Sequence, residues 1–416
     1  MTRTSGSIHG LFLRDCVVHA PACPDRVTKR GSGRIARPDF DRTLRLTDRP
    51  DDQASASDPP AVADGAEAAP ESPQQAKPVR YVHTESFPRL LTDLGVSLVV
   101  TTYQAGKLIV IRGEGTKCSI LMRNFPQPMG VAVASDRIAL GTSSQVWTFR
   151  SAADIAAQLD PPGRHDGCYV PRSSHVTGDI RVHELGYLGK ELWVVNTRFS
   201  CLCTLEPNYS FVPRWRPAFV SELVAEDRCH LNGMAIADDR IRYVTAMGET
   251  DSRADWRANR ASGGIVIDVP RGQIVARGLS MPHSPRVYRD RLWVLNSGWG
   301  TLCAVDPEGG AVDSICTLPG FTRGLAFADR FAFVGLSKIR EKRAFGGVPI
   351  EERAAELQCA VYAVDIETGD VAGYMLFESG SEELFDVQVL AGMRWPSIIG
   401  LRRDSVGGIF LIPKGP

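Results

Sequence analysis

The chain lacks an excess of charge of either sign. Its 48 Lys and Arg residues balance 48 Asp and Glu residues in a length of 416. After residue 80 the basic residues are scattered instead of clustered, so the sequence has no electrostatic footprint for nucleic acid or an anionic membrane surface. We therefore expect no nucleic-acid partner.

Long apolar segments are missing as well. No run approaches the roughly 20 apolar residues that a membrane-spanning helix needs. The short apolar stretch at residues 11–13 is ended by Arg14 and Asp15, which the apolar core of a signal peptide does not tolerate. The sequence therefore predicts a cytoplasmic protein with no membrane partner.

Cysteine is too sparse and too irregular for a disulfide framework. Ten cysteines are spread over the chain without the dense spacing of a small secreted scaffold. No Cys-x-x-Cys or His-x-x-x-His spacing indicates a zinc site. We predict reduced thiols that mostly pack as small apolar side chains.

The first part of the chain differs in composition from the rest. Residues 1–79 are rich in Arg, Asp, Pro, Ser and Ala and have no sustained apolar period. Such a segment buries too little apolar surface to offset the loss of chain entropy on folding. We predict a disordered, low-complexity extension over residues 1–79 and one folded domain over residues 80–416.

The folded part contains short β-rich runs that repeat. Residues 191–207 align with residues 291–307 without a gap. The positions that coincide are Trp193 with Trp293, Asn196 with Asn296, and Cys203 with Cys303. Such a duplication is typical of a repeated strand-turn-strand unit.

Related units begin near residues 97, 137, 240 and 330, which gives a period of ~40 to 60 residues, typical of propellers. We predict an all-β protein, a β-propeller of four-stranded blades, with seven blades favoured and six as the alternative. The count depends on residues 87–95, which fit either a first strand or a short helix. If they form a helix, the N-terminal and C-terminal units merge into one blade and the count is six.

Equivalent positions of a propeller form rings around its channel. The start of the first strand and the end of the second strand of each blade meet at one mouth. The first-strand ring contains Met129, His183, Asn232, His283 and Arg323, with Arg89 and Asp386 as further members. The second-strand ring and its loops contain Thr102, Tyr103, Asn196, Asn296 and Lys338, and Glu184 and His230 flank the first ring.

Three of the eight histidines fall at this mouth, namely His183, His230 and His283. Imidazole is the commonest general base and a common ligand of transition metals. We predict that these three act as catalytic acid/base groups or metal ligands, with a divalent metal ion as candidate cofactor. The predicted ligand-binding residues are Asn232, Arg323, Asn196, Asn296, Glu184, Asp386, Thr102, Tyr103 and Lys338. Alternatively, the polar ring only satisfies strand ends and holds water.

Two classes of function follow from this ring. In the first, the mouth binds a small polar or anionic molecule, or a modified peptide end, and carries out metal-assisted hydrolysis. In the second, the propeller is not catalytic and either docks a protein partner or senses a ligand. An exposed aromatic patch around Tyr103, Phe199 and Trp299 would indicate protein docking.

Several segments resemble an uncharacterised family of bacterial proteins described as conserved hypothetical. They are residues 97–108, 225–233, 278–286 and 323–327, and the resemblance covers nearly everything after residue 80. A more distant likeness is to the gluconolactonase and senescence-marker propellers, through Asn232-Gly233. That likeness implies a metal ligand at Asn232 and lactone hydrolysis, although His183 and His283 do not match its ligand pattern.

Overall fold

The computed structural model describes residues 16–20, 78–338 and 347–413. The predicted disorder of residues 1–79 therefore lies almost entirely outside the described residues. Residues 78–338 and 347–412 belong to one compact unit. None of the described helices is long and apolar enough to cross a membrane.

The described strands of the propeller form six antiparallel sheets, numbered here as blades 1 to 6. Blade 1 contains β3 (Val96–Thr102), β4 (Lys107–Glu114), β5 (Lys117–Asn124) and β26 (Asp386–Ala391). Blade 2 contains β6 (Val131–Ala134), β7 (Arg137–Gly141), β8 (Gln145–Ser151) and β9 (Gly167–Val176). Blade 3 contains β10 (Val182–Leu188), β11 (Glu191–Asn196), β12 (Cys201–Thr204) and β13 (Val212–Trp215).

The second half of the ring has the same strand order. Blade 4 contains β14 (Leu231–Ala237), β15 (Arg240–Ala246), β16 (Gly264–Asp268) and β17 (Gln273–Leu279). Blade 5 contains β18 (Pro282–Tyr288), β19 (Arg291–Asn296), β20 (Thr301–Val305) and β21 (Val312–Thr317). Blade 6 contains β22 (Phe321–Ala328), β23 (Phe331–Ser337), β24 (Ala360–Asp365) and β25 (Val371–Ser379).

The remaining elements lie around these blades. Strand β2 (Arg80–His83) extends the outer edge of blade 6, and β27 (Pro396–Ile398) pairs in parallel with the outer strand of blade 2. Strands β1 (Cys16–Ala20) and β28 (Ile409–Pro413) form a separate two-stranded sheet. The helices are α1 (Ser86–Asp93), α2 (Ala153–Ala156) and α3 (Arg403–Val406). Short 3-10 helices span Asp255–Asn259, Ser297–Trp299 and Pro349–Glu356.

The favoured prediction of seven blades is wrong, and the alternative of six is confirmed. The innermost strands β26, β6, β10, β14, β18 and β22 contact one another in a closed ring. Residues 86–93 form helix α1, so strands β3 to β5 have no first strand from their own part of the chain. Strand β26 fills that place, because it pairs with β3 from Asp386 opposite Thr101 to Ala391 opposite Val96.

Apolar side chains fill the space between neighbouring blades. Leu98 and Ile109 of blade 1 pack with Phe333 and Val361 of blade 6, and all four are fully buried. The eight cysteines within residues 78–338 and 347–413 are free thiols, seven of them buried. The repeat-equivalent Cys203 and Cys303 are both buried, in the third strands of blades 3 and 5.

Hydroxyl groups link neighbouring blades at the end of the second strand. Three such links recur in alternate blades, each with a donor–acceptor distance of 2.6 Å. The hydroxyl groups of Thr101, Thr197 and Ser297 donate to the carbonyl oxygens of Met129, Leu231 and Thr322, respectively. These bonds fix the inner strands of adjacent blades at the same mouth of the channel.

The inner strands approach one another closely where glycine is present. A Cβ atom on Gly324 would lie 2.4 Å from the backbone nitrogen of Val387 and 2.8 Å from the Cα of Asp386. Real Cβ contacts are not this short, so only glycine allows β22 of blade 6 to pass β26 of blade 1 at this distance. This close approach completes the ring.

Candidate functional site at one mouth of the channel

A cavity of about 310 Å³ opens at the mouth where the inner strands begin. Its walls bring together the three predicted histidines and the predicted arginine, although they come from four different blades or their loops. The side chains that define the cavity chemically are His183, His230, His283, Arg323, Trp256 and Phe385. The ring of equivalent positions therefore does form a pocket.

His183 is held in one tautomer by its two neighbours. Thr197 donates its hydroxyl proton to the carbonyl of Leu231, so its oxygen accepts the Nδ1–H of His183 over 3.0 Å. The Nε2 of His183 then has a free lone pair, which accepts a hydrogen bond of 2.7 Å from Nη2 of Arg323. A neutral imidazole at this position fits both bonds.

His283 repeats this arrangement one hundred residues later in the sequence. Its Nδ1 lies 2.9 Å from the Ser297 hydroxyl, which donates to the carbonyl of Thr322, and 3.0 Å from the carbonyl of Met281. Its Nδ1 therefore carries the proton. No partner for its Nε2 is present among the described residues. This nitrogen is a hydrogen-bond acceptor available to a ligand.

Both imidazoles are kept neutral by their surroundings. Burial lowers the pKa of His183 well below the ordinary histidine value of 6.5, and the Arg323 cation beside it lowers that pKa further. Burial and then Arg323 lower the pKa of His283 in the same way. Near neutral pH these two groups accept hydrogen bonds through Nε2 and carry no positive charge.

We expect nitrogen–proton NMR correlations of the imidazoles to show His183 and His283 neutral at pH 6.5, each with its proton on Nδ1. An ordinary histidine is half protonated at that pH. The physical reason is that burial and Arg323 disfavour the charged imidazolium. Protons on both nitrogens of either ring at pH 6.5, or a proton on Nε2 alone, would contradict this assignment.

Arg323 is a half-buried cation in the wall of the cavity. Its guanidinium carbon lies 3.5 Å from the ring centroid of Phe385, and its Nη2 donates a hydrogen bond to neutral His183. Among the described residues it forms no ion pair with a carboxylate. Burial lowers its pKa to about 10, so the group stays charged at neutral pH.

His230 differs from the other two histidines because it bonds to a carboxylate. Its Nδ1 lies 2.9 and 3.0 Å from the two oxygens of Asp227. Asp227 also accepts a hydrogen bond of 2.9 Å from Arg181. The Trp256 ring lies 4.3 Å from the His230 ring, measured between centroids.

The other predicted ligand-binding residues each have a hydrogen-bond partner among the described residues, although the buried amide nitrogens of Asn196 and Asn232 have none. Asn232 is buried and accepts a hydrogen bond of 2.7 Å from Thr245. Asn196 and Asn296 accept backbone N–H groups of Phe199 and Ser280. Thr102 accepts the backbone N–H of Lys107, and the backbone N–H of Lys338 donates to the carbonyl of Glu382. Their roles in ligand binding stay predictions.

The predicted acidic residues Glu184 and Asp386 do not line this cavity. Glu184 is buried, forms an ion pair with Arg286 and accepts the backbone N–H of Met234 over 3.0 Å. Asp386 is buried and accepts the backbone N–H of Val131 over 2.8 Å. Both carboxylates join the inner strands of neighbouring blades, and Tyr103 is the remaining predicted residue that lines the cavity.

Sequence analysis missed Asp227, Trp256 and Phe385. Asp227 stands three residues before His230, and an Asp-x-x-His spacing next to a predicted base is a signal that was present. Phe385 occupies the position in blade 1 that His183 and His283 occupy in their blades. Asp386, the residue predicted for that position, is one residue further into the strand.

The histidines do not converge on a common point for a metal ion. Within residues 78–338 and 347–413, no three His, Cys, Asp or Glu side chains are grouped so that they could hold a metal. The Nε2 of His183 faces a guanidinium, which would repel a cation. The predicted metal roles of His183, His230 and His283 stay predictions that this geometry does not favour.

The comparison with protein families supports the predicted resemblance to an uncharacterised family. Residues 85–399 match the model of a family described as "Domain of unknown function (DUF4915)". No curated protein sequence matches the chain. The resemblance to gluconolactonase-type propellers therefore stays a prediction.

Two solved structures are similar to parts of the chain. One is titled "Crystal structure of Nidogen/Laminin Complex" and has 10% sequence identity and a TM-score of 0.46, covering 71% of this chain and 99% of that chain. The other is a protein of unknown function from Bacteroides caccae with 10% identity and a TM-score of 0.45, covering 71% of this chain and 98% of that chain.

Proposed function

We propose that this chain, which belongs to the DUF4915 family of unknown function, binds a small organic anion in the cavity at the channel mouth. The observation that carries the proposal is the environment of Arg323. It is a half-buried cation with a neutral histidine on one side, an aromatic ring on the other, and no ion pair among the described residues. A bound carboxylate would supply the missing negative charge.

The acidic groups of the cavity wall are already engaged elsewhere. Asp227 pairs with Arg181 and His230, and Asp179 forms an ion pair with Arg198. Glu383 accepts the backbone N–H groups of the two residues that follow β3, each over 2.8 Å. Burial lowers the pKa of Arg323, whereas Glu383 and Asp386 act on it through space and raise that pKa. No described carboxylate forms an ion pair with the guanidinium, which can therefore pair with a ligand.

The rest of the wall indicates what kind of anion fits. Trp256 and Phe385 present aromatic surface, and three methionines add flexible apolar surface, namely Met129, Met247 and Met281. A volume of about 310 Å³ suits a small molecule. The chemistry of the site therefore favours an organic acid with an apolar or aromatic body.

We expect isothermal titration calorimetry to show that the protein binds 4-hydroxybenzoate or phenylacetate but not the matched amides, 4-hydroxybenzamide and phenylacetamide. Arg323→Met removes the charge and keeps most of the side-chain length, so affinity should fall by roughly 10- to 100-fold, as expected for a hydrogen bond to a charged group. Arg291→Met, at an exposed arginine outside the cavity, is the matched control.

Three results would refute anion binding at this site. They are equal affinity for acids and amides, unchanged affinity in Arg323→Met, and no binding of either acid by the folded protein. The cavity would then be only a polar channel mouth.

A non-catalytic docking propeller stays the alternative prediction. Of the predicted aromatic patch, Trp299 is 51% exposed and Tyr103 36% exposed. Phe199 instead packs against Phe211, with 4.8 Å between ring centroids. Two other aromatic side chains, Phe385 and Trp256, contact Arg323 and His230 inside the cavity. A small molecule reaches the inside of a cavity more readily than the surface of a partner protein does. Ligand binding in the cavity is therefore favoured over protein docking.

A further inference from the structure

We infer that Asp227 and His230 are the proton-accepting pair of an ester hydrolase, in which His230 activates a water molecule beside an anionic ester held near Arg323. The inference rests on the proposed function, because the anion places the ester in the cavity.

The bond to Asp227 fixes the proton on Nδ1 of His230. Both carboxylate oxygens of Asp227 lie within 3.0 Å of that nitrogen, and a carboxylate can only accept. Nε2 is on the opposite edge of the ring, and no partner for it is present among the described residues. His230 lines the cavity, so this free lone pair is available to a bound water. The carboxylate would also stabilise the imidazolium that forms when the proton arrives.

The residues around the pair limit its movement. Asp227 has φ of 54° and His230 has φ of 51°, in the left-handed region that Asp and His adopt more readily than most residues. Arg181 holds Asp227 from one side, and Trp256 covers the His230 ring. The surroundings therefore keep the pair in one geometry.

Of the three histidines in the cavity, His230 is the one suited to accept a proton. His183 and His283 donate Nδ1–H to hydroxyl groups, which carry no charge to stabilise an imidazolium. The neighbouring Cys229 is buried, and burial raises the pKa of its thiol to about 12, so it is not a nucleophile. Water is left as the nucleophile for His230 to activate.

Arg323 and His230 lie beside the same residue, His183. The His183 ring lies 4.9 Å from the His230 ring between centroids, and its Nε2 contacts Arg323 over 2.7 Å. The base and the cation therefore flank the same neutral imidazole. An ester whose carboxylate pairs with Arg323 would extend past His183 and have its carbonyl carbon near the water activated by His230.

The reaction consumes only water and the ester. An O–H bond of water breaks, its proton moves to Nε2 of His230, and the water oxygen bonds to the carbonyl carbon. The π pair moves to the carbonyl oxygen. When the intermediate collapses, the C–O bond to the alcohol breaks, and His230 returns the proton to the departing oxygen. The products are a carboxylic acid and an alcohol.

The test uses full-length protein and three probe esters, 4-acetoxybenzoate, 3-acetoxybenzoate and methyl hydrogen succinate, with hydrolysis followed by proton NMR. We expect turnover of at least one, with kcat lowered roughly 100- to 10,000-fold in His230→Gln, the usual contribution of a general base. Asp227→Asn should lower kcat as well, because the imidazole loses its fixed tautomer. His175→Gln, at a histidine outside the cavity, should leave kcat unchanged.

Binding measurements distinguish a failure of the hydrolase inference from a failure of the proposed anion binding. His230→Gln should still bind 4-hydroxybenzoate with nearly unchanged affinity, since Arg323 is intact. If the protein binds that acid through Arg323 but hydrolyses none of the esters faster than His230→Gln, the hydrolase is overturned and the anion site stands. An acyl adduct on the protein in intact-mass spectra during turnover would also overturn it, because the nucleophile would then be a side chain. If neither acid binds, the proposed function itself fails.

Discussion

Arg286→Met is expected to lower the free energy of unfolding by about 3 to 5 kcal/mol at pH 8, the range seen when one partner of a buried ion pair is removed. Arg286 forms an ion pair with Glu184, and its Nε donates to the carbonyl of Leu325 over 3.0 Å. The Glu184 side chain is only 6% exposed. Without the guanidinium, a carboxylate stays buried in the channel with no opposite charge beside it.

The stability that Arg286→Met loses should depend on pH. Burial already raises the pKa of Glu184 to about 7, against the pull of Arg286 in the opposite direction. Removing Arg286 raises that pKa further. Between the unfolded value of 4.5 and the raised value, the native state binds more protons than the unfolded state. Stability therefore falls as pH rises through this window, and the deficit of Arg286→Met should be smaller at pH 5 than at pH 8.

Urea unfolding at pH 5, 6, 7 and 8 measures this dependence. Arg289→Met is the matched control, because that arginine is 43% exposed and pairs with surface carboxylates, where the loss should stay below about 1 kcal/mol. The double variant Arg286→Met/Glu184→Met should recover most of the lost stability, since no unpaired charge remains. An equal deficit at all four pH values would show that lost packing, and not charge, is responsible.

Gly324→Ala is expected to lower the free energy of unfolding by roughly 2 to 5 kcal/mol, through backbone strain and a steric clash together. Gly324 has φ of +78°, and a Cβ atom there would approach the backbone of Val387 to 2.4 Å. The clashing atoms belong to β26, so they cannot move without disturbing the pairing of β26 with β3. The variant therefore tests how tightly the ring closes between blades 6 and 1.

Gly278→Ala separates the two contributions. Gly278 has φ of +79°, almost the same as Gly324, and a Cβ atom there would meet nothing within 4 Å. Its loss should reflect strain alone, about 1 to 2 kcal/mol. Thermal and urea unfolding of both variants give the difference. If the two lose equal stability, the inner strands have room at Gly324 and the ring does not close tightly there.

The fold could be predicted from local patterns, but the closure of the ring could not. The alignment of Trp193 with Trp293 identified a repeated unit, and the propeller with four-stranded blades is confirmed. The count of seven was wrong because β26 and β3 are separated by most of the chain, and no local pattern records their pairing. The resemblance to an uncharacterised family is confirmed, whereas a cytoplasmic location stays a prediction.

Within the site, residues at repeat positions could be predicted from the sequence, whereas residues in loops could not. His183, His283 and Arg323 could be placed because they occupy repeat-equivalent positions at the starts of inner strands. Phe385 was missed because the inner strands carry bulges, for example between His283 and Arg286, which shift the register by a residue. Asp227 and Trp256 lie in loops, whose conformations the repeat does not determine.

Closure by β26 also has a consequence for how the protein is made. Strands β3 to β5 leave the ribosome early, but their innermost partner is synthesised roughly 260 residues later. At about 5 to 20 residues per second, this is a delay of about 13 to 50 s. During that time the inner edge of β3 has unpaired N–H and C=O groups, which favour pairing with other nascent strands. The first blade of the growing chain is therefore the one most exposed to aggregation before translation ends.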